Sequence, residues 1–179
     1  PLRRISLDEG GKPLQTLFEF AKRQGFKVGV ITDTRITHAT PAGFYGHVKD
    51  RDDETTLAEQ AVESGFNILF GGGRKFFVPK EMGGEQPHGR NFLELAKEKG
   101  FLVVENRKEL QSAILKRPEK ILGVFGHSFM PYAWEPESAS LPTLVEMTAA
   151  ALTILGNRKE RFLLMVEAGK IDVVNHAHD

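Results

Sequence analysis

The sequence contains no cysteine, which excludes disulfides and thiolate metal sites and leaves the compartment open, because disulfide-free proteins occur on both sides of a membrane. It has no excess of either charge, with 24 Lys plus Arg against 24 Asp plus Glu. A chain without a bulk field has no general attraction for nucleic acid or an acidic membrane face, so no nucleic-acid partner is expected and any anion site must be local. No run approaches the roughly 18 consecutive apolar residues of a membrane span, and the opening "PLRRISLDEGG" lacks the apolar core of a signal peptide. A span is therefore not expected. Fixed-period repeats, low-complexity tracts and interdomain linkers are also missing. With 179 residues, 40% of them hydrophobic, one domain over 1–179 with a real core is expected. The chain opens directly on a proline and ends just after a charged cluster, which gives the expectation of an internal segment of a longer protein.

What is present is an alternation of two periodicities. "PLQTLFEFAKRQG" from Pro13 puts Leu14, Leu17, Phe18 and Ala21 on one helical face with Gly25 as its stop, and "KVGVIT" follows as a β-branched run. The pattern recurs as "ETTLAEQAVESG" then "NILF", "NFLELAKEKG" then "FLVV", "RKELQSAILK" then "KILGVF", and "LPTLVEMTAAALTILG" then "RFLLMV". Strands alternating with helices of about ten residues imply crossover connections and a mostly parallel sheet with helices on both faces, a three-layer α/β/α fold. In such sheets function collects at loops leaving the carboxyl ends of strands. Two loops stand out, 32–51 after "KVGVIT" and 167 onward after "RFLLMV". The irregular stretch "GGGRKFFVPKEMGGEQPHGR" reads as the longest loop, with its three glycines supporting a tight turn.

The last loop, "VEAGKIDVVNHAHD", carries Glu167, Asp172 and His176. One turn of helix places Asp172 and His176 on the same face at i, i+4. Imidazole with carboxylate suits zinc, whereas a lone glutamate among hydroxyls and waters suits magnesium. Acidic residues and a histidine also solvate chain ends, and spacing alone does not separate the two uses. In "TDTRITHATPAGFYGHVKDR", Thr40 before Pro41 has the grammar of an N-cap followed by proline at the first helical position. Its hydroxyl is equally a hard ligand for magnesium, and His38 stands where it could hold a metal-bound water. Arg51 offers a planar fork matched to phosphate oxygens, or an ion pair with Asp52, Asp53 or Glu54. His47, His88 and His127 show no partner pattern and read as ordinary surface or core histidines. Ser128 in "GHSFM" is not a nucleophile elbow, since Met130 stands where glycine is needed.

Together, "VITDTRITHATPAGFYGHVKDR", "NILFGGGRKFF", "LGVFGHSFMPY" and "FLLMVEAGKID" followed by His176 resemble the alkaline phosphatase family, in the same order and at similar separations. The resemblance implies Thr40 and Glu167 as ligands of Mg2+ with His38 beside them, Asp172 and His176 as ligands of one of two catalytic Zn2+ ions, and Arg51 as the grip on phosphate oxygens. It further implies hydrolysis of small phosphate monoesters to alcohol and inorganic phosphate through a phosphoserine, usually in an exported (periplasmic or extracellular) homodimer. The family's nucleophilic serine lies upstream of the matching region and its remaining zinc ligands downstream, so this chain is expected to carry an incomplete version of the fold and part of the site, and to be inactive by itself. Ala168 replaces a common glycine, Lys170 stands where arginine is frequent, and Val173 follows the aspartate. Two other readings use the same residues: a related metallohydrolase of diesters or sulfate esters, of which Arg51 argues against the diesters because it expects several free phosphate oxygens, and a non-catalytic domain binding a metal or a partner.

Overall fold

A computed structural model describes residues 3–87, 89–156 and 160–176. Five strands, β1 (Lys27–Arg35), β2 (Ile68–Gly72), β3 (Leu102–Val104), β4 (Ile121–Gly126) and β5 (Phe162–Glu167), form one sheet in the order β3-β4-β2-β1-β5. Every neighbouring pair is parallel. The helices are α1 (Leu17–Arg23), α2 (Ala39–Ala42), α3 (Glu54–Ser64), α4 (Arg74–Phe77), α5 (Phe92–Glu98), α6 (Arg107–Lys116), α7 (Leu144–Gly156) and α8 (Lys170–His176).

Alternate residues of each strand enter two different cores. Val28, Val30, Leu69, Leu122 and Val124 pack with Phe18, Leu57, Val62 and Leu93, from α1, α3 and α5. Ile31, Ile68, Phe70 and Ile121 pack on the opposite face with Leu110, Met147, Ala151 and Ile154, from α6 and α7. Two buried faces explain why these strands read as unbroken apolar runs. The expected three-layer arrangement is the one observed. By length and composition the stretch Pro136–Gly156 is long and apolar enough to cross a membrane, although its apolar residues are not consecutive. Met147, Ala150, Ala151, Ile154 and Leu155 within it are buried in the domain, as in a core helix.

Local chemistry shifts three of the expected boundaries. α1 starts at Leu17 rather than Pro13, because Thr16 forms a capping box: its hydroxyl accepts from Glu19 N–H (3.2 Å) and its own N–H donates to the Glu19 carboxylate (2.8 Å). Leu14 and Leu17 are consequently exposed, and Phe18 and Ala21 alone of the expected face are buried. The N-cap of α2 is His38, not Thr40; Thr40 lies within the helix, and Pro41 is tolerated because first-turn N–H groups have no intrahelical acceptor. The supposed long loop contains α4, with Phe77 fully buried, and a 3₁₀ turn at Lys80–Met82. Of the three glycines, two finish β2 and only Gly73 turns, at φ 95°. A Cβ on Gly72 would lie 2.1 Å from the Ser128 carbonyl oxygen, so the glycine admits the segment after β4 against the end of β2.

His88 lies outside the described residues. His47 is not an isolated histidine: its Nε2 meets Glu19 Oε1 at 2.9 Å and its Nδ1 meets Ser6 O at 3.0 Å, joining α1 to the segment after α2. Burial pulls its pKa down, but the hydrogen bonds it gives to the Glu19 carboxylate and the Ser6 carbonyl outweigh that and raise it above 6.5. For Glu19, burial pushes the pKa up, and the bonds from His47 and Thr16 N–H more than reverse it, to below 4.5. The His47 contribution is complete below pH 6.5 and lost as pH rises through the raised value; the Glu19 contribution is complete above pH 4.5 and lost as pH falls through the lowered one. Glu19→Gln keeps a residue that completes the capping box. In chemical denaturation its stability deficit relative to the parent should be largest between pH 4.5 and 6.5 and shrink on the alkaline side. A deficit independent of pH would assign the loss to something other than the charge pair.

Candidate functional site

The site is reached from the carboxyl end of β1. Residues 32 and 34 share one side of the strand, and the register pairs Thr32 with Glu167 at the end of β5. Both threonines are fully buried. Their hydroxyls reach Glu167 Oε2, at 2.6 Å from Thr32 and 3.2 Å from Thr34. Between them Asp33 is half-buried, and its Oδ1 accepts the N–H of Lys170 (3.1 Å) at the start of α8. Burial raises the Asp33 pKa; the N–H groups of Lys170 and Gly169 oppose that rise, and the charge of Glu167 adds to it. Asp33 thus holds the turn between Glu167 and Asp172, and Lys170 ties that turn to the segment after β4 by donating its ammonium to Met130 O at 2.6 Å.

On the other side of the strand end, Arg35 forks onto Glu54, with Nε to Oε2 and Nη2 to Oε1 both at 2.7 Å. Glu54 is buried and also takes the Thr37 hydroxyl. The Arg35 guanidinium carries the Phe129 ring on its face, 4.4 Å from the centroid, and Phe129 in turn meets His38 edge-on at 5.9 Å. The neighbouring acids are engaged as well: Asp50 and Asp52 bind Arg3, and Asp53 caps α3 through Thr56 N–H at 3.2 Å. The ion pairs with Asp52, Asp53 or Glu54 that the sequence allowed for Arg51 are therefore not formed. Arg51 is exposed and, among the described residues, holds no ion pair; it lines a cavity of about 280 Å³ with Arg3, Arg35, His38, Asp52 and Glu54.

His38 joins the two halves. Burial lowers its pKa first, and the charges of Arg35 and Arg51 lower it further, while Glu167 and Glu54 pull the other way. The ring is therefore neutral at neutral pH, and its buried Nδ1 has no hydrogen-bond partner. Thr40 is exposed in the first turn of α2; the hydroxyls on Glu167 come from Thr32 and Thr34 instead. Asp172 and His176 do share one face of α8, with Oδ1 and Nε2 3.4 Å apart, and both are exposed. Among the described residues no three of His, Asp and Glu gather closely enough to cage a cation. Lys170 and Val173 both line a cavity of about 720 Å³, beside His127, Phe129, Tyr132 and Leu141. Thr32, Asp33, Thr34, Arg35 and Glu54 escaped the sequence reading. Their signal was the alternation of threonines in "TDTRIT" at the polar end of an otherwise apolar strand.

The family model described as alkaline phosphatase matches residues 2–179. The chain is 32% identical to the membrane-bound alkaline phosphatase of Bombyx mori, covering 93% of this chain and 36% of that protein. It is 30% identical to alkaline phosphatase 3 of Bacillus subtilis, covering 98% and 37%. Among solved structures, the Thermus thermophilus alkaline phosphatase superposes with a TM-score of 0.88 at 36% identity, covering 98% of this chain and 36% of that one. A variant of the alkaline phosphatase from the Antarctic bacterium TAB5, described with Mg bound in the M3 site, shares the fold at a TM-score of 0.85 and 24% identity, covering 98% and 48%. The chain thus spans a little over a third of the length of these curated relatives.

The Arg35–Glu54 pair yields a direct test. Arg35→Met removes the cation and strands a buried carboxylate with one hydroxyl partner. Breaking a buried pair from one side costs about 3–5 kcal/mol, so the urea midpoint should fall sharply, and the double variant Arg35→Met with Glu54→Leu should recover most of the loss. A loss of under about 1 kcal/mol, the scale of an exposed pair, would show that the pair is solvated.

Proposed function

The chain belongs to the alkaline phosphatase family, and on that footing we propose that the intact protein hydrolyses phosphate monoesters and that this chain supplies part of its active site. The observation that carries the reading is the unpaired Arg51. Every nearby carboxylate has another partner, Asp50 and Asp52 on Arg3, Asp53 on α3 and Glu54 on Arg35. A guanidinium left open beside a polar cavity is a fork for two non-bridging oxygens of one phosphoryl group. A monoester presents three free oxygens and a second negative charge where a diester presents two oxygens and one charge, so an open cation beside the fork favours monoesters by charge rather than by the fork alone.

The donor sets fit the metals that the family resemblance implies. Glu167 and Thr40 offer oxygen only, which suits Mg2+; Asp172 and His176 offer oxygen and nitrogen, which suits Zn2+. His38, neutral with a buried Nδ1 lacking any partner, suits an outer role holding a metal-bound water. Magnesium is also supported by the TAB5 variant described with Mg bound. When bound, divalent cations supply charge neutralisation for phosphoryl oxygens and a more acidic oxygen nucleophile. The chain's own groups orient the substrate: Arg51 fixes two oxygens, and Thr32, Thr34 and Asp33 fix the direction of Glu167 and of the turn leading to Asp172. The attacking serine and the further ligands come from other parts of the intact protein in this reading, and this segment alone releases no phosphate.

The test is Arg51→Lys in the full-length protein, which keeps the charge and removes the fork. With an aryl phosphate, kcat/KM should fall on the order of ten- to a hundredfold, the scale of one charge-assisted bidentate contact, and inhibition by inorganic phosphate should weaken with it. Kinetics and phosphate inhibition equal to the parent's would return Arg51 to the protein surface and remove the main support for a phosphate site.

A further inference from the structure

The segment between β4 and α7 carries a feature that the phosphate reading does not use. From Phe129, beside His38 and Arg35, it passes Met130, whose N–H donates to Asp33 O at 3.1 Å, and reaches Tyr132 and Trp134. Those two rings stack in parallel, with centroids 4.6 Å apart and planes 5° apart. The Lys170 ammonium lies 3.2 Å from the Tyr132 ring centroid. A cation that close and a stacked indole cannot share one face of the phenol ring, so Lys170 closes the far face and the outer face of Trp134 ends the stack.

The stack is held in place although it stands in solvent. Glu135 N–H donates to Tyr132 O (3.0 Å), the Glu135 carboxylate takes Tyr132 N–H, and Ser138 Oγ donates to Ala133 O (3.1 Å). Trp134 nevertheless remains 78% exposed. An ordered, open indole is apolar surface without an intramolecular partner, and the ligand that completes a parallel stack is another planar π system. A cavity of about 320 Å³ runs from Trp134 and Tyr132 to Lys170 and Asp33, the residues that fix the turn after Glu167. Asp33, which lines this cavity, stands between Thr32 and Thr34, whose hydroxyls bond Glu167, so the aromatic wall opens toward the Glu167 end of the candidate site.

We propose that Tyr132 and Trp134, with the cavity they share with Lys170 and Asp33, form a leaving-group subsite for phosphate monoesters whose alcohol carries a planar aromatic or heteroaromatic ring, as a nucleoside does. The subsite rests on the phosphomonoesterase reading and gives it a substrate class. In the full-length protein the emission lost on Trp134→Phe isolates this indole, so the parent-minus-variant emission reports on the subsite without any turnover. Titration with adenosine should quench it saturably, glycerol should not, and Tyr132→Leu should weaken the adenosine response by about fivefold or more. In the full-length protein, Trp134→Ala should lower kcat/KM for adenosine monophosphate about tenfold while glycerol phosphate changes less than twofold. The second substrate shows that the variant is folded. No saturable quenching by adenosine, or an equal change for both esters, overturns the subsite. Quenching retained in a full-length protein that hydrolyses neither ester would overturn the phosphatase reading and leave the aromatic site standing.

Discussion

β1 is hydrogen-bonded along both edges, to β2 and to β5, and every group of the candidate site is reached from its carboxyl end. The pairing of Lys27 through Thr32 with Phe162 through Glu167 brings together residues 135 apart in sequence, so that Thr32 stands next to Glu167. A slip of one residue would send every side chain of β5 to the other face, taking Glu167 away from both threonines and Leu164 out of its place against the second core. Because both faces of β1 are buried, such a slip is opposed by the whole apolar register. The packing of the sheet is what aims the carboxylate.

Charge is distributed around this end so that, among the described residues, Arg51 is left without an ion pair. The exposed pairs of Arg3 with Asp50 and Asp52 contribute little to stability, since solvent screens them. Their consequence is electrostatic: they keep two carboxylates from neutralising Arg51. Arg35 serves the other role, compensating Glu54 inside the protein and presenting its face to Phe129. His38 sits between these cations and Glu167 and stays neutral, mainly because it is buried. A neutral ring, an open guanidinium and a carboxylate with fixed direction thus lie at one end of the sheet, the arrangement on which the proposed phosphate site rests.

The alternation of strands and helices was legible because burial on both faces leaves unbroken apolar runs, and all five expected strands occur. Boundaries set by side-chain to backbone bonds were less so: Thr16 and Glu19 outcompete Pro13 as the start of α1, and His38 rather than Thr40 takes the N-cap of α2. The i, i+4 placement of Asp172 and His176 was readable from local spacing, and it is present in α8. The hydroxyls on Glu167 were not, since which threonine faces it depends on strand order and register, and no local pattern encodes either. The fate of Arg51 was equally hidden. Its neighbours in sequence include Asp52, Asp53 and Glu54, and only the tertiary positions of Arg3, Arg35 and the start of α3 show that those acids are engaged elsewhere.

The proposal that the rest turns on is that the ends of β1 and β5 offer one oxygen-lined position and α8 a separate mixed-donor position, for two different metals in the intact protein. Elemental analysis of the purified full-length protein, with Glu167→Gln and His176→Ala beside the parent, separates the two. The account predicts that Glu167→Gln loses chiefly magnesium and keeps zinc, and that His176→Ala loses zinc and keeps magnesium, because oxygen-only and nitrogen-containing donor sets select different cations. Equal loss of both metals in both variants would contradict it, making the 167–176 segment a single folding unit rather than two sites.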